Sequence, residues 1–240
     1  MSFEIKVGGY GIDLYKTKTG HYCLPVGPET DWVMKSIKAD EIFDEWVVDK
    51  AREYSKPNTA ILDVGANFGQ MSVLFSRMVG VSGKVYSFEC FPDIIFLLKT
   101  NLAVNGCDNS IVISNAVYDE CGREFTYEEP TFEKYESFGS YGLNPTLDDG
   151  KLKIKTITID SLNIDMPVSF MKVDVQGADL AAMRGAKSLI EKFRPAIVYE
   201  YEERYDEQFG VSKGHYQEFV DSIGYQLIES DHDNYLICPK

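Results

Sequence analysis

Short apolar runs alternate along the chain with longer stretches in which apolar residues recur every three or four positions. A short apolar run is typical of a strand, and the three- and four-residue spacing is typical of a helix. The pattern predicts strands at 60–64, 84–89, 110–118, 124–127, 153–159, 169–175, 195–201, 225–229 and 235–238. It predicts helices at 31–54, with a break near Ala39 and Asp40, from Gln70 onward, and at 94–105, 177–192 and 213–223.

Strands that alternate with helices predict an α/β fold with a doubly wound, mostly parallel sheet covered on both faces. The last two predicted strands are joined by a short turn at 231–234, which makes one of them antiparallel. Residues 1–28 predict a β-hairpin with a further strand. With the first helix they form an N-terminal extension, 1–55, that packs on a core domain, 56–240. The predicted loop at 129–150 is a candidate lid.

The first strand of the core domain runs into a glycine-rich turn, Gly65 to Gly69, and then into a helix. Glycine lets the backbone approach a ligand closely, and the start of the helix offers free N–H groups. We therefore expect a ligand at this turn, although a tight turn without a ligand fits the same residues.

Polar residues follow the ends of the predicted parallel strands. In sheets of this kind, ligands bind beyond the carboxyl ends of the strands, where the strand order reverses. Besides the glycine-rich turn, the residues expected at this edge are Asp63, Glu89, Asn115, Ala116, Asp174, Gln176, Glu200 and Glu202.

Glu89 points to a nucleoside, because a carboxylate at the end of the second strand accepts hydrogen bonds from ribose hydroxyls. A carboxylate that only faces solvent is the alternative. A dinucleotide site prefers G-x-G-x-x-G, whereas Gly65 and Gly69 have no glycine between them. Asp63 is unfavourable beside a diphosphate and suits an ammonium group. These residues favour S-adenosylmethionine, which has no phosphate, over NAD.

The chain is strongly acidic, with a net charge of −14 over 240 residues. Because affinity for nucleic acid depends mainly on Lys and Arg, we expect no nucleic-acid partner. We also expect no membrane span, since no apolar stretch is long enough. The first residues lack the apolar run of a signal peptide. The five cysteines lack the spacing of a zinc site or a disulfide framework, which predicts reduced thiols in a cytoplasmic protein.

Several segments together carry a resemblance to a known family. They are Leu62-Asp-Val-Gly-Ala-Asn-Phe-Gly69, Phe88-Glu89 with Pro92, Asn115-Ala-Val117, Thr158-Ile-Asp160, Lys172-Val-Asp-Val-Gln-Gly177 with Gly185-Ala186, and Pro195-Ala-Ile-Val-Tyr-Glu200. The chain resembles the FkbM family of class I S-adenosylmethionine-dependent methyltransferases over about residues 60–202. The resemblance implies a seven-stranded, Rossmann-like sheet with a reversed last strand. It also implies O-methylation, often of sugar hydroxyls.

The residues and the resemblance together predict a cofactor site at the glycine-rich turn and the neighbouring strand ends. Its members are Asp63, Gly65, Ala66, Asn67, Phe68, Gly69, Glu89, Cys90, Asn115, Ala116 and Asp174. Two positions depart from the family pattern. Cys90 and Phe91 separate Glu89 from Pro92, where the family usually has Glu-Pro, and Gln176 stands where the family usually has Glu.

Methyl transfer to a hydroxyl needs a group that removes the proton. Asp174 is the predicted general base. Lys172, two residues earlier on the same face of a strand, is predicted to hold the acceptor oxygen or to balance Asp174, and Glu200 is a second carboxylate within reach. Alternatively, Asp174 and Glu200 bind a divalent cation, Mg²⁺ or Mn²⁺, which lowers the pKa of the acceptor hydroxyl. A buried Lys172–Asp174 pair that only holds the sheet is the structural alternative.

Aromatic residues in the extension and the loop offer faces on which a sugar can stack, namely Trp32, Trp46, Tyr135, Phe138 and Tyr141. For Trp32 and Trp46, packing between extension and domain is the preferred interpretation. The predicted function is an O-methyltransferase acting on a sugar-containing acceptor, such as a deoxyhexose unit. The alternatives are an inactive cofactor-binding module in a larger assembly, which Gln176 favours, and a methyltransferase of another small-molecule or protein acceptor.

Overall fold

The computed structural model describes residues 6–7, 10–27, 29–127, 137–140, 142–145 and 152–240. Most of the predicted loop at 129–150 therefore lies outside the described residues. No helix in the described ranges is both long enough and apolar enough to cross a membrane.

The strands, in chain order, are β1 (Lys6–Val7), β2 (Tyr10–Thr17), β3 (Gly20–Pro25), β4 (Ala60–Val64), β5 (Lys84–Phe88), β6 (Ser110–Ile113), β7 (Ala116–Val117), β8 (Glu124–Tyr127), β9 (Leu152–Ile157), β10 (Val168–Val173), β11 (Ala196–Glu200), β12 (Tyr225–Asp231) and β13 (Asn234–Pro239). The helices are α1 (Trp32–Lys38), α2 (Glu45–Tyr54), α3 (Gln70–Val79), α4 (Pro92–Val104), α5 (Asp179–Arg184), α6 (Lys187–Phe193), α7 (Asp206–Phe209) and α8 (Lys213–Ser222).

Seven strands form the central sheet, in the order β12-β13-β11-β10-β4-β5-β6. The pairs from β11 through β10, β4 and β5 to β6 are parallel. Strand β13 is antiparallel to both of its neighbours. This arrangement confirms the predicted doubly wound sheet with one reversed strand.

Strand β4, at the centre of the sheet, is buried along its whole length. Successive side chains point to opposite faces of a strand. Ile61 packs with α2 and α3 in one apolar cluster, and Leu62 packs with α5, α6 and α8 in another. Asp63, in the middle of this buried strand, pairs in register with Lys172 of β10. The sheet therefore places the carboxylate of Asp63 on the strand next to the ammonium group of Lys172, just before both strands reach the carboxyl edge.

The N-terminal extension packs on the core domain. Strands β1 to β3 form a small antiparallel sheet, and the predicted helix at 31–54 is two helices with the break near the expected position. Two asparagines of α4 bind the outer edge of β3. Asn101 accepts from the N–H of Cys23 and Asn105 accepts from the N–H of His21. Their amide groups donate to the carbonyls of the same two residues. The division at residue 55 itself stays a prediction.

The single strand predicted at 110–118 is wrong, because the chain bends at Asn115. Strand β6 stays in the central sheet, whereas β7 pairs with β9 in a separate three-stranded sheet that β8 completes. Tyr118 continues this pairing by donating its N–H to the carbonyl of Ile157. The bend therefore moves Asn115 and Ala116 to the rim between the two sheets.

The helix predicted at 177–192 is two helices, α5 and α6, separated at Gly185 and Ala186. A Cβ atom on Gly185 would lie 2.0 Å from the carbonyl oxygen of Tyr118, so only glycine allows this packing. The Asp160 carboxylate accepts the N–H groups of Ser188 and Leu189 at the start of α6. Two segments of the family resemblance thus have a structural role, away from the sheet edge.

Candidate active site

A cavity of about 240 Å³ opens at the carboxyl edge of the central sheet. Every cofactor-binding and catalytic residue predicted from the sequence lies in its wall: Asp63, Gly65, Ala66, Asn67, Phe68, Gly69, Glu89, Cys90, Asn115, Ala116, Lys172, Asp174 and Glu200. The fold therefore brings these residues together, and their individual roles remain predictions.

The turn after β4 has a conformation that depends on glycine. Gly65 has φ +84°, and a Cβ atom there would lie 1.8 Å from the carbonyl oxygen of Asp174. Gly69, also with positive φ, caps the start of α3. The N–H groups of Gly65 and Ala66 both donate to the carbonyl of Phe88. These bonds fix the turn beside the end of β5.

Glu89 follows β5 and is held by the backbone around it. Its Oε1 accepts the N–H groups of Cys90 (2.7 Å) and Phe91 (3.1 Å), and its Oε2 accepts the N–H of Asn67 (3.1 Å). Burial raises the pKa of Glu89, and the three backbone hydrogen bonds oppose that shift. A carboxylate accepts about four hydrogen bonds, so Oε2 keeps capacity for a donor from a ligand.

Cys90 interrupts the family's usual Glu-Pro pair without disturbing this arrangement. Its N–H donates to Glu89, and Pro92 takes the first position of α4. Burial, followed by the charge of Glu89, raises the pKa of the Cys90 thiol well above its ordinary value. The thiol is therefore neutral in the cavity wall. On the same rim, the Asn115 amide donates to the carbonyl of Lys155.

Asp63 is completely buried under the glycine-rich turn. Its Oδ2 accepts from the hydroxyl of Ser72 at 2.5 Å. Its Oδ1 has no hydrogen-bond partner among the described residues, and the Lys172 ammonium lies 3.7 Å away. Burial raises the pKa of Asp63, and the charge of Lys172 opposes the shift. Asp63 therefore offers an unsatisfied acceptor oxygen within the cavity wall.

Lys172 joins the turn to the next strand end. Its Nζ donates to the carbonyl of Gly65 at 2.6 Å and lies 3.2 Å from Oδ2 of Asp174. Burial lowers the pKa of Lys172, but Asp174 and Asp63 outweigh it and hold that pKa above its ordinary value. Lys172 is therefore charged at neutral pH and cannot serve as a base.

Gln176 bridges Asp174 and Glu200, the two carboxylates after β10 and at the end of β11. Its Nε2 donates to Oδ1 of Asp174 (3.1 Å) and to Oε2 of Glu200 (3.2 Å), and its Oε1 accepts from the hydroxyl of Tyr205 (2.9 Å). Burial and the charge of Asp174 raise the pKa of Glu200. Burial also acts on Asp174, but Lys172 lowers its pKa below the ordinary value. Glu200 consequently keeps its proton while Asp174 is ionised.

Asp31 ties the extension to the segment at 137–140, and the sequence had not singled it out. Its Oδ1 accepts the N–H of Met34 at the start of α1. Its Oδ2 accepts from the Ser137 hydroxyl (2.9 Å) and the Phe138 N–H (2.8 Å). The Phe138 ring then meets Phe68 edge to face, with ring centroids 5.8 Å apart. The only sequence signal was an aspartate before a helix, which predicts a cap and nothing more.

The predicted stacking aromatics divide between two places. Trp32 is 67% exposed and lies in the cavity wall together with Phe138. Trp46 lies elsewhere, with its Nε1 donating to Glu229, as expected for a packing role. Tyr135 and Tyr141 lie outside the described residues. Further cavity residues had no role in the sequence predictions, among them Phe43, Asp44, Leu143 and Arg204.

The predicted metal pair, Asp174 and Glu200, draws no support from the geometry. Within the described ranges, no group of three or more His, Cys, Asp or Glu side chains is placed to hold a metal ion. The Gln176 amide nitrogen, a hydrogen-bond donor, lies between the two carboxylates. The Lys172 ammonium already balances Asp174.

A model of the FkbM methyltransferase domain matches residues 63–227. The chain belongs to the FkbM methyltransferase family. This confirms the resemblance drawn from the motifs, and the matched part of the chain is a methyltransferase domain. The matched range begins at Asp63 and includes the carboxyl ends of β4, β5, β10 and β11, which lie at the cavity.

A solved structure of an FkbM methyltransferase agrees with this fold. The FkbM methyltransferase from Methylobacillus flagellatus is 17% identical, with a TM-score of 0.52, over 79% of this chain and 50% of its own. An S-adenosylmethionine-dependent O-methyltransferase from Thermotoga maritima is 15% identical, with a TM-score of 0.46, over 95% of this chain and 77% of its own. The structural similarity to this second protein is too low to support any inference about function. No curated protein sequence matches this one.

The cavity of this FkbM protein fits a phosphate-free adenosyl cofactor. Its wall offers acceptor oxygens, including the unsatisfied Oδ1 of Asp63 and the carboxylate of Glu89. The basic side chains in the wall are Lys172 and Arg204, and each is paired with a carboxylate. Among these described residues, neither Lys172 nor Arg204 is free to bind a phosphate. Asp63 and Glu89 provide acceptor oxygens for ribose hydroxyls and an ammonium group.

Proposed function

We propose that this FkbM methyltransferase transfers a methyl group from S-adenosylmethionine to a hydroxyl of a sugar-containing acceptor, with a deoxyhexose unit as the first candidate. The observation that carries the proposal is a single cavity with two chemically different ends. One end, after β5, has Glu89, and the glycine-rich turn lies between the two ends, beside Phe88 and Asp174. The other end has an ionised Asp174 beside a protonated Glu200.

The first end would hold the cofactor. Glu89 would accept from the ribose, Asp63 would face the ammonium group, and the turn from Gly65 to Gly69 lets the backbone approach closely. When bound, S-adenosylmethionine supplies an electrophilic methyl group. The protein contributes orientation, which for well-placed reactants is worth about 7–11 kcal/mol.

The second end suits a neutral acceptor rich in hydroxyls. Asp174 is ionised and would accept a hydrogen bond from the acceptor hydroxyl, while Lys172 keeps its carboxylate in place. The exposed ring of Trp32 at the cavity wall offers an apolar face for a sugar ring. Carboxylates in this wall would repel an acceptor that carries phosphate or carboxylate groups.

The lowered pKa of Asp174 makes it a weak base. We therefore assign it to orient the acceptor hydroxyl, and the sequence-based assignment as general base stays open to test. A divalent cation on Asp174 and Glu200 is not part of the proposal, because Glu200 keeps its proton and the Gln176 amide nitrogen lies between the two carboxylates. Turnover should therefore survive exhaustive chelation.

Gln176 no longer favours an inactive module. Its amide satisfies both carboxylates at once, whereas a third carboxylate there would add repulsion. Another small-molecule or protein acceptor remains an alternative, since the same hydrogen-bonding groups accept any hydroxyl.

The proposal is tested by measuring S-adenosylhomocysteine release with a panel of neutral deoxyhexose glycosides and matched sugar phosphates. We expect turnover with neutral glycosides and none with the phosphates. Cofactor binding without turnover on any hydroxyl acceptor would contradict the proposal, and turnover restricted to protein acceptors would replace it with the alternative.

A further inference from the structure

Asp44 lies in the cavity wall, in the loop between α1 and α2, with an unusual backbone conformation. It caps α2 with φ 48° and ψ 54°, in the left-handed region, and its side chain makes no capping hydrogen bond. An aspartate cap ordinarily has an extended backbone and stabilises the helix through its carboxylate. Residues other than glycine in the left-handed region are strained, and such residues cluster at active sites. The Asp44 carboxylate is therefore not used as a helix cap, and its residue lines the cavity.

Gln70 holds this loop against the start of α3. Its Oε1 accepts the N–H of Phe43 at 3.1 Å, and its Nε2 donates to the carbonyl of Glu41 at 2.9 Å. Gln70 is buried and directly follows Gly69, the last residue of the glycine-rich turn. Asp44 is therefore positioned by the same element that shapes the cofactor end of the cavity.

The charged groups that act on Asp44 come from two packed elements. They are Asp174 and Lys172 from the end of β10, and Asp231 and His232 from the turn between β12 and β13. Burial, followed by the charge of Asp174, raises the pKa of Asp44 to about 6. A general base works best when its pKa lies near the operating pH.

The other carboxylates at the acceptor end are occupied. Asp174 is paired with Lys172, Glu200 keeps its proton, and Glu202 lies 2.7 Å from the guanidinium of Arg204. Asp44, in contrast to these three carboxylates, has a pKa of about 6 and makes no capping hydrogen bond.

We propose that Asp44 is the general base of the methyl transfer, a role that rests on the proposed function. The acceptor oxygen forms a bond to the methyl carbon, the bond between that carbon and the sulfonium sulfur breaks, and its electron pair stays on sulfur. The proton of the acceptor hydroxyl passes to the Asp44 carboxylate. Asp174 holds the same hydroxyl in line.

The first test is the Asp44→Asn variant, because asparagine tolerates the left-handed region and keeps the carboxylate's shape. We expect turnover to fall by about 10²–10⁴-fold, with unchanged affinity for S-adenosylhomocysteine by calorimetry. The decline of wild-type kcat/KM below about pH 6 should disappear in the variant. Glu45→Gln, which removes the same charge from the next, exposed residue, should leave turnover unchanged.

The second test does not depend on activity. Carbon-13 NMR of protein labelled at the aspartate Cγ, without cofactor, should show a resonance that titrates near pH 6 and is missing in Asp44→Asn. Asp174→Asn should lower that titration point, because it removes a like charge. Full turnover in Asp44→Asn, or titration of this resonance near the ordinary aspartate value, overturns the base role. A different result would contradict the proposed function itself. In that case the resonance titrates near pH 6 but the wild type methylates no hydroxyl, and the base role of Asp44 is then rejected together with the proposed function.

Discussion

The Lys172 ammonium lies 3.2 Å from the carboxylate of Asp174, and the same nitrogen donates to the carbonyl of Gly65. In Asp174→Asn, the ion pair is lost but the bond to the glycine-rich turn remains. Because the acceptor hydroxyl would lose the carboxylate that orients it, we expect a loss of turnover of about 10²-fold, with retained affinity for S-adenosylhomocysteine. Calorimetry and steady-state kinetics on the same preparation separate the two effects.

Asp108→Asn, at an exposed position outside the cavity wall, is the matched control. Wild-type turnover in Asp174→Asn would remove Asp174 from the reaction. Loss of cofactor affinity together with turnover would instead indicate that the pair only maintains the turn.

Glu89→Gln tests the cofactor end. Glutamine keeps the size of the side chain but replaces one charged acceptor oxygen with a donor, which faces the N–H of Asn67 or of Cys90. Hydrogen bonds to charged groups contribute about 1.5–3 kcal/mol, so we expect affinity for S-adenosylhomocysteine to weaken by about tenfold or more. Unaltered affinity in calorimetry would place the ribose elsewhere.

Gln176→Glu tests the bridge between Asp174 and Glu200. The new carboxyl would be buried beside two others, which raises its folded-state pKa above the unfolded value of about 4.3. The folded state then binds the proton more tightly, so the variant is closest to wild type below about pH 4 and loses stability as the pH rises. We expect a deficit of about 1–3 kcal/mol at neutral pH.

Urea unfolding at pH 5 and pH 8 measures that deficit directly. Gln226→Glu, an exposed change on the edge strand β12, controls for the added charge. An equal deficit at the two pH values would show that the carboxyl titrates normally and that the amide bridge is unimportant.

Asp31→Asn tests the link between the extension and the segment at 137–140. The amide can no longer accept from Met34 on one oxygen and from both Ser137 and Phe138 on the other. We expect a loss of about 1–3 kcal/mol in the free energy of unfolding and faster hydrogen exchange at the Phe138 N–H. Asp13→Asn, exposed on β2, should change neither quantity, and slow exchange in Asp31→Asn would contradict the link.

The sequence predicted the sheet edge well because one rule governs it. A buried apolar run fixes the strand, and the polar residue after the run must then emerge at the carboxyl edge. Glu89, Asp174 and Glu200 followed from that rule alone. Gln176 was recognised only as a departure, because its bridging role depends on how the strand ends of β10 and β11 align.

The residues that were missed lie where distant segments meet. Asp31 and Asp44 each precede a helix, and an aspartate before a helix predicts a cap, which describes Asp31 in part and Asp44 not at all. The loop before Asp44 is held by hydrogen bonds from Gln70 to Glu41 and Phe43, and no local sequence pattern reveals such a contact. The bend at Asn115 was missed for a similar reason, because an apolar run lies on each side of it, at 111–113 and 116–118.

The two asparagines of α4 have a further consequence for the extension. Strand β3 is the edge of its small sheet, and an exposed edge is a template on which another chain can add a strand. Asn101 and Asn105 occupy the N–H and C=O groups of Cys23 and His21 that such a strand would use. The side-chain amides of α4 therefore block the backbone groups at this edge, and another chain cannot add a strand to the sheet at β3.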